Sequence, residues 1–330
     1  MKSHLFAGVM LSFVTAGAVA VETKQTEVEA FIDGMVREHD FDRDELQAIL
    51  ARAEIKDSIL EAIARPAEKT LSWAEYRDIF VTGKRIEAGA NFWRQHRDML
   101  ERISGESGVP VEILVGIIGV ETYYGRITGS FRVLDALTTL AFHYPPRADF
   151  FRRELEQYLL LTREEGMDAG EPTGSYAGAM GRPQFMPSSF RAYAVDSTGD
   201  GKRDIWNNWA DVAGSVANYF IEHGWRSGQA VTTRATLGKR WQEPKPAPAN
   251  TLTPRDTVMS LSERGVLFAT ELPADSKSQL LTFEGETGTE YWVGFHNFFV
   301  ITRYNRSVMY ALAVHQLGQE IAIEVLRDAG

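Results

Sequence analysis

The chain has 330 residues, with Lys+Arg 35 against Asp+Glu 45 for a formal charge of −10, and no cysteine. The missing cysteines exclude disulfides, thiolate metal sites and a cysteine nucleophile. The acidic balance, with no strongly basic run, argues against a nucleic-acid binder. A hydrophobic share of 44% and a charged share of 24% describe an ordinary globular protein, long enough for one large domain or two to three small ones.

Lys2 and His4 precede an apolar run from Leu5 to Ala20, and Ala18-Val19-Ala20 is an A-x-A-like cleavage site. The pattern predicts an export signal over residues 1–20, cut after Ala18 or Ala20. The alternative, an uncleaved anchor, needs a span of about 20 apolar residues. Without a cysteine no lipid can be attached at a mature N-terminal Cys, so an exported, soluble protein is expected.

From Thr26 to Ala64 the spacing is helical, with Val28, Phe31, Ile32 and Met35 on one face. A second helix follows the turn residues Phe41 to Arg43, with Asp44 as its expected cap. Ser72, Trp73 and Glu75 mark a helix start in SWAEYRDIF. One amphipathic helix is expected over Asn91 to Ile103, its apolar face formed by Phe92, Trp93, Met99, Leu100 and Ile103.

Pro110 to Gly125 reads PVEILVGIIGVETYYG. Pro suits the first helical turn, where its missing N–H costs nothing. Val111, Ile113, Leu114, Val115, Ile117, Ile118 and Val120 wrap the helix in apolar side chains, the mark of a buried helix. Gly125 is the expected stop. Glu121 thus sits at the end of a buried helix, where desolvation favours the neutral carboxyl. Such a group beside aromatic rings is what a general acid for glycosidic cleavage requires. The competing reading is a helix-end Glu turned to water and held by Arg126.

Val133 to Phe142 and Ala148 to Thr162 are expected helices, parted by Pro145-Pro146. GSYAGAMGRPQFMPSS, Gly174 to Ser189, is too rich in small residues for a simple helix. Its glycines let backbone approach a ligand closely, although a plain connector is an equal reading.

Asp196 to Asn207, DSTGDGKRDIWN, matches much of an EF-hand calcium loop. Asp196, Thr198 and Asp200 fall at positions 1, 3 and 5, Gly201 is the turn glycine, Lys202 takes the carbonyl position and Asp204 position 9. Asn207 stands where a bidentate Glu is usual, and Asp211 can supply the missing carboxylate if the loop is longer. Oxygen donors suit Ca²⁺ rather than Zn²⁺; the rival is an Asp/Gly turn without an ion.

Asp211 to Trp225 is a helix expected to end at Gly224. From Gln229 the period changes. VTTRATL, a Pro-rich linker, GVLFATEL, SQLLTFEG, TEYWVGFH and NFFVITRYN read as short strands. Ser307 to Asp328 returns to helix. The order predicts α+β, mainly α, with segregated parts.

ETYYG, the glycine-rich loop and the calcium-like loop stand in an order that resembles the lytic murein transglycosylase B family, a branch of the lysozyme-like enzymes that cut bacterial peptidoglycan. The matching stretches are GIIGVET, GSYAGAMG, QFMPSS, AVD, GSVANYF and ITRYN. They run from about Tyr76 to the C-terminal helix and are densest from Ile113 to Trp225.

The resemblance implies a lysozyme-like core over 105–226, a helical domain over 21–104, a β-region over 227–300 and a closing helix over 301–330. It implies a periplasmic enzyme and Glu121 as sole acid and then base, closing a 1,6-anhydro ring on N-acetylmuramic acid without water. Structural Ca²⁺ and no organic cofactor are expected, with peptidoglycan strands as substrate, wall-synthesis proteins as partners and a monomeric state.

By position, Ser175 is expected to bond the N-acetyl group or Glu121, and Gln184 to line the cleft. Tyr219, Tyr304, Tyr310 and Tyr76 are expected to stack on or bond sugars, or else to be ordinary core. Arg147 is expected to meet peptide carboxylates, or else to be a solvated arginine. The chain departs from the family in its missing lipid cysteine and at position 12 of the loop, with Asp211 one residue beyond the family spacing. It also departs at Tyr123-Tyr124 and Arg182-Pro183, which points to a different strand preference. The rivals are a hydrolytic muramidase and a non-catalytic wall-binding protein.

Overall fold

The computed structural model describes residues 19–20, 26–65, 71–242 and 250–327. The expected export segment lies outside these residues except for its last two. Strand β1 (Val19–Ala20) pairs with β2 (Glu54–Ile55), and helices α1 (Thr26–His39), α2 (Arg43–Ala51) and α3 (Asp57–Ile63) belong to the same N-terminal stretch. The cap of α2 is Asp42, not Asp44. The helix begins at Arg43, so the Asp42 carboxylate takes the Glu45 N–H at 2.9 Å, while Asp44 lies inside the first turn.

Helix α4 (Trp73–Phe80) starts where expected, and Ser72 and Glu75 there form a capping box. The single helix expected over 91–103 is two, α5 (Gly83–Gln95) and α6 (Arg97–Ser107), broken at His96. No Gly or Pro signals the break. The His96 ring packs on Phe92, one turn back, at 4.7 Å and near Trp209 at 5.8 Å, and the second contact closes only in the folded chain.

Helix α7 (Val111–Thr122) is buried along nearly its whole length, as its apolar wrapping predicts. Then come β3 (Phe131–Arg132), α8 (Val133–His143), α9 (Ala148–Glu164), β4 (Thr173–Gly174), α10 (Pro187–Tyr193) and α11 (Trp209–Glu222). The buried Asp135 carboxylate of α8 ties this core to the N-terminal helices. It accepts the Glu54 N–H at 3.0 Å and pairs with Arg132.

The remaining strands are β5 (Thr232–Leu237), β6 (Asp256–Thr257), β7 (Val266–Phe268), β8 (Lys277–Gly285) and β9 (Gly288–Phe295), with α12 (Val258–Glu263) between β6 and β7. They form one antiparallel sheet in the order β6-β8-β9-β5-β7. Its pleat sends side chains to two cores. Leu281, Phe283 and Trp292 join the main helical core, where Trp73 meets Phe283 at 5.4 Å. Leu280, Val293 and Phe295 join Val258 and Leu261 of α12 in a second cluster.

NFFVITRYN is not a strand. It forms α13 (His296–Tyr304), with Asn297 to Thr302 all buried. A short helix buried on every side shows no period that separates it from a buried strand. The last helix, α14 (Val308–Arg327), packs on α7, α5 and α4. The fold is α+β and mainly α. No single described helix is long and apolar enough to cross a membrane.

Candidate active site

Glu121 lies in the last turn of α7, partly exposed between the buried Val120 and Thr122. The helix stops at Thr122, ahead of the expected Gly125. Tyr123 (φ 51°), Tyr124 (φ 57°) and Gly125 (φ 80°) then form three consecutive left-handed residues. Contacts pay for this turn: the Tyr124 hydroxyl donates to the Arg85 carbonyl at 3.0 Å, and the Arg85 guanidinium donates to the Gly119 carbonyl at 3.0 Å. Tyr123 sits between the guanidiniums of Arg85 and Arg126, each 4.8 Å from its ring centre. Arg126 is thus occupied by a ring.

Tyr310, near the start of α14, donates its hydroxyl to Glu121 Oε1 at 2.5 Å. Its ring is buried and lies nearly parallel to Tyr304, with centres 6.5 Å apart. Tyr304 meets Tyr219 of α11 at 4.9 Å, and Tyr219 stacks on His223 at 4.1 Å. Burial first, and the Glu121 charge second, push the Tyr310 and Tyr304 phenols well above their ordinary value of 10.0. Both therefore remain donors throughout the range in which a protein is folded. Tyr76 of α4 is buried, with its ring 5.1 Å from Phe80, and is close enough to Tyr310 to raise its pKa further.

The tyrosine hydroxyls do not all point at the carboxyl. Tyr304 donates to the Pro183 carbonyl at 2.6 Å, and Tyr219 donates to the Arg303 carbonyl at 2.7 Å. Ser175 Oγ accepts the Ala177 N–H at 3.3 Å and the Ala179 N–H at 3.1 Å, which leaves its proton to donate elsewhere. Gln184 is left-handed (φ 55°) and gives its amide to the Thr128 and Gly181 carbonyls at 3.0 and 2.8 Å. Arg147 is exposed in the turn before α9, lying over Phe150 at 4.2 Å and Phe151 at 5.2 Å. Sequence reasoning gave no role to Thr122. Its buried hydroxyl donates to the Arg182 carbonyl at 3.0 Å and accepts the Gly125 N–H at 3.1 Å.

The loop from Asp196 closes largely on its own backbone. The Asp196 carboxylate accepts N–H groups of Thr198, Gly199, Asp200 and Gly201, and these bonds lower its pKa. Asp200 takes the Lys202 N–H at 2.9 Å, and Asp204 takes those of Trp206 and Asn207. Asp211 is fully buried in the first turn of α11. Its two oxygens accept the Ser197 and Asp204 N–H, each at 2.9 Å, and burial raises its pKa. The donors are all oxygens, the chemistry Ca²⁺ prefers. Among the described residues, however, no group of three or more His, Cys, Asp or Glu converges as a metal site. A cavity of about 560 Å³ opens beside this loop, lined by Glu165, Asp168, Lys202 and Trp206 among others, away from Glu121.

The family description "Transglycosylase SLT domain" matches residues 23–319. The chain belongs to that family. It is an enzyme, a lytic transglycosylase. Among curated relatives, membrane-bound lytic murein transglycosylase B of Escherichia coli (strain K12) is 44% identical over 304 residues, covering 89% of this chain and 82% of the relative. The lytic transglycosylase SltB1 of Pseudomonas aeruginosa superposes with a TM-score of 0.87 at 50% identity, over 91% of this chain and 98% of that one. Escherichia coli Slt35, solved in complex with calcium, gives 0.84 at 42% identity over 94% and 97%. Pseudomonas aeruginosa SltB3, solved in complex with NAG-anhNAM-pentapeptide, gives 0.79 at 29% identity over 89% and 78%. The lysozyme-like transglycosylase fold expected from the motifs is thereby established, while the roles of single residues rest on the geometry above.

Proposed function

We propose that this lytic transglycosylase cleaves the β-1,4 bond between N-acetylmuramoyl and N-acetylglucosaminyl residues of peptidoglycan, with Glu121 as the only catalytic carboxyl. The observation that carries the assignment is the 2.5 Å bond from the buried Tyr310 hydroxyl to Glu121 Oε1. It fixes one oxygen of a partly exposed carboxyl, the group assigned here to proton transfer.

In the first step Glu121 gives its proton to the glycosidic oxygen as the C1–O bond breaks, releasing the free hydroxyl of the leaving sugar. The substrate's own N-acetyl oxygen stabilises the positive charge at C1, so no second carboxylate is required. In the second step the ionised Glu121 takes the proton of the C6 hydroxyl as that oxygen bonds to C1. The 1,6-anhydro ring forms, no water is consumed, and Glu121 is again protonated. The Ser175 proton is assigned to the N-acetyl carbonyl. Gln184, Tyr76, Tyr219 and Tyr304 shape the wall of the cleft, and Arg147 meets peptide carboxylates further out. The NAG-anhNAM-pentapeptide complex of SltB3 supports the product assigned here.

The same reading gives an exported, soluble, periplasmic monomer that works beside wall-synthesis proteins. It keeps the division at 21–104, 105–226, 227–300 and 301–330, and the separate apolar cluster of the sheet supports the third unit. The calcium complex of Slt35 and the all-oxygen donor set support Ca²⁺ held by Asp196, Thr198, Asp200, the Lys202 carbonyl and Asp211. Such an ion would brace the loop and takes no part in the chemistry.

Mass analysis of digested sacculi tests the reaction: anhydro ends are expected, one water lighter than the reducing ends a muramidase would leave. Glu121→Gln is expected to bind murein and abolish turnover. Turnover at the wild-type rate would remove Glu121 from the catalytic role. Calorimetric titration that shows neither calcium heat nor a thermal shift would remove the ion.

A further inference from the structure

Four residues other than glycine have left-handed φ among the described residues: Asp40, Tyr123, Tyr124 and Gln184. Two of them, Tyr123 and Tyr124, stand two and three residues after Glu121. A third ends the Arg182-Pro183 stretch that crosses beneath the same turn. Tyrosine avoids this conformation, and such strain persists only where the surroundings over-determine it. What holds the elbow is therefore part of how the carboxyl is aimed.

On one side the holder is Arg85, already described. On the other it is Arg182. Its carbonyl accepts the Thr122 hydroxyl at 3.0 Å, one residue from Glu121. That carbonyl is itself pinned. The Arg182 N–H donates to the Ile205 carbonyl at 2.9 Å, and its guanidinium donates to the Asn207 carbonyl at 2.9 Å while lying 3.9 Å from the Trp209 ring centre. The elbow rests on this stack: a Cβ added to Gly125 would come within 3.0 Å of Trp209 and 3.2 Å of Arg182 Nε. The half-buried guanidinium meets a backbone carbonyl and an aromatic face, within reach of the Asp204 charge. A flat fork can serve both at once and a flexible ammonium cannot.

We propose that Arg182 is a positioning residue for this transglycosylase: through its carbonyl on Thr122 and its guanidinium on Trp209 it locks the left-handed elbow and fixes the direction of Glu121. The inference rests on Glu121 being the catalytic carboxyl.

Steady-state kinetics of Arg182→Met, Thr122→Val and the double variant on soluble glycan strands test it, with Glu121→Gln in parallel. Each single variant is expected to lower kcat by about 10- to 100-fold with KM within about two-fold, since a misaimed group harms the transition state and not binding. The double variant should fall no more than about three-fold below the weaker single, because both changes break one unit. Multiplying effects, a rise in KM alone, or unchanged kcat in Arg182→Met would each overturn the proposal. If Arg182→Met does not fold, Arg182→Lys replaces it. A soluble Arg182→Lys enzyme with a wild-type melting point should show the same kcat loss, and full activity there refutes the role. Turnover surviving in Glu121→Gln would instead refute the catalytic assignment beneath it.

Discussion

Tyr310→Phe removes one oxygen and leaves a buried ring of the same shape, so it isolates the bond to Glu121. The hydroxyl donates to Oε1 at 2.5 Å, and burial pushes its own ionisation well above the ordinary 10.0, so it keeps its proton for that bond. A hydrogen bond to a charged acceptor contributes about 1.5–3 kcal/mol and one to a neutral acceptor about 0.5–1.5 kcal/mol. Glu121 passes from neutral to charged as the glycosidic bond breaks, so the bond strengthens on the way to the transition state by about 1–1.5 kcal/mol. At 1.36 kcal/mol per decade, kcat is expected to fall about 5- to 13-fold, with KM unchanged. Initial rates on soluble glycan strands over a range of concentrations separate the two constants. A raised KM at unchanged kcat would mean that the hydroxyl meets the sugar instead, and equal kinetics would mean that the bond plays no part in the reaction.

Asp211→Asn should destabilise the fold by about 1–3 kcal/mol, read from urea midpoints, because an amide NH₂ would face the Ser197 or Asp204 N–H in a buried position. His315 is pushed by burial from 6.5 down to about 4, and its Nδ1 has no partner. Its contribution to stability is therefore complete above about pH 6.5. It declines as the unfolded chain takes up a proton between pH 6.5 and 4, and it levels off below that. His315→Gln should flatten the stability profile across that window, and an unaltered slope would show that the ring is not held neutral. Ser72→Ala removes half of the capping box on α4 and should cost about 1 kcal/mol, measured as a thermal shift with unchanged kcat.

The sequence speaks most clearly where structure is local. The wrapping of α7, the helix start at Ser72 to Glu75 and the carboxyl at the helix end could all be read within a few residues. The partner of that carboxyl could not, since Tyr310 lies 189 positions away and reaches Glu121 only because α14 packs along α7. The tyrosines taken from the family pattern do gather, but the hydroxyls of Tyr304 and Tyr219 end on backbone carbonyls, so the pattern located the rings and not their bonds. The stretch read as a last strand is α13, because complete burial erases the period that separates helix from strand.

The misplaced end of α7 is the most instructive difference. Local preference puts the left-handed residue at Gly125, yet the helix gives way two residues earlier, at a tyrosine. A tyrosine there is costly by propensity alone. Its ring, however, lies between two guanidiniums, and the next ring stacks on Phe92 at 5.6 Å while its hydroxyl reaches Arg85. The early stop also turns Thr122 toward the Arg182 carbonyl and leaves Glu121 at the final turn facing Tyr310. Had the helix run on to Gly125, Tyr123 and Tyr124 would lie on helical φ, and the contacts made by the elbow would be lost. The strain after Glu121 is therefore matched by contacts from α5, α11 and the glycine-rich loop, and it is those contacts that set where the carboxyl points.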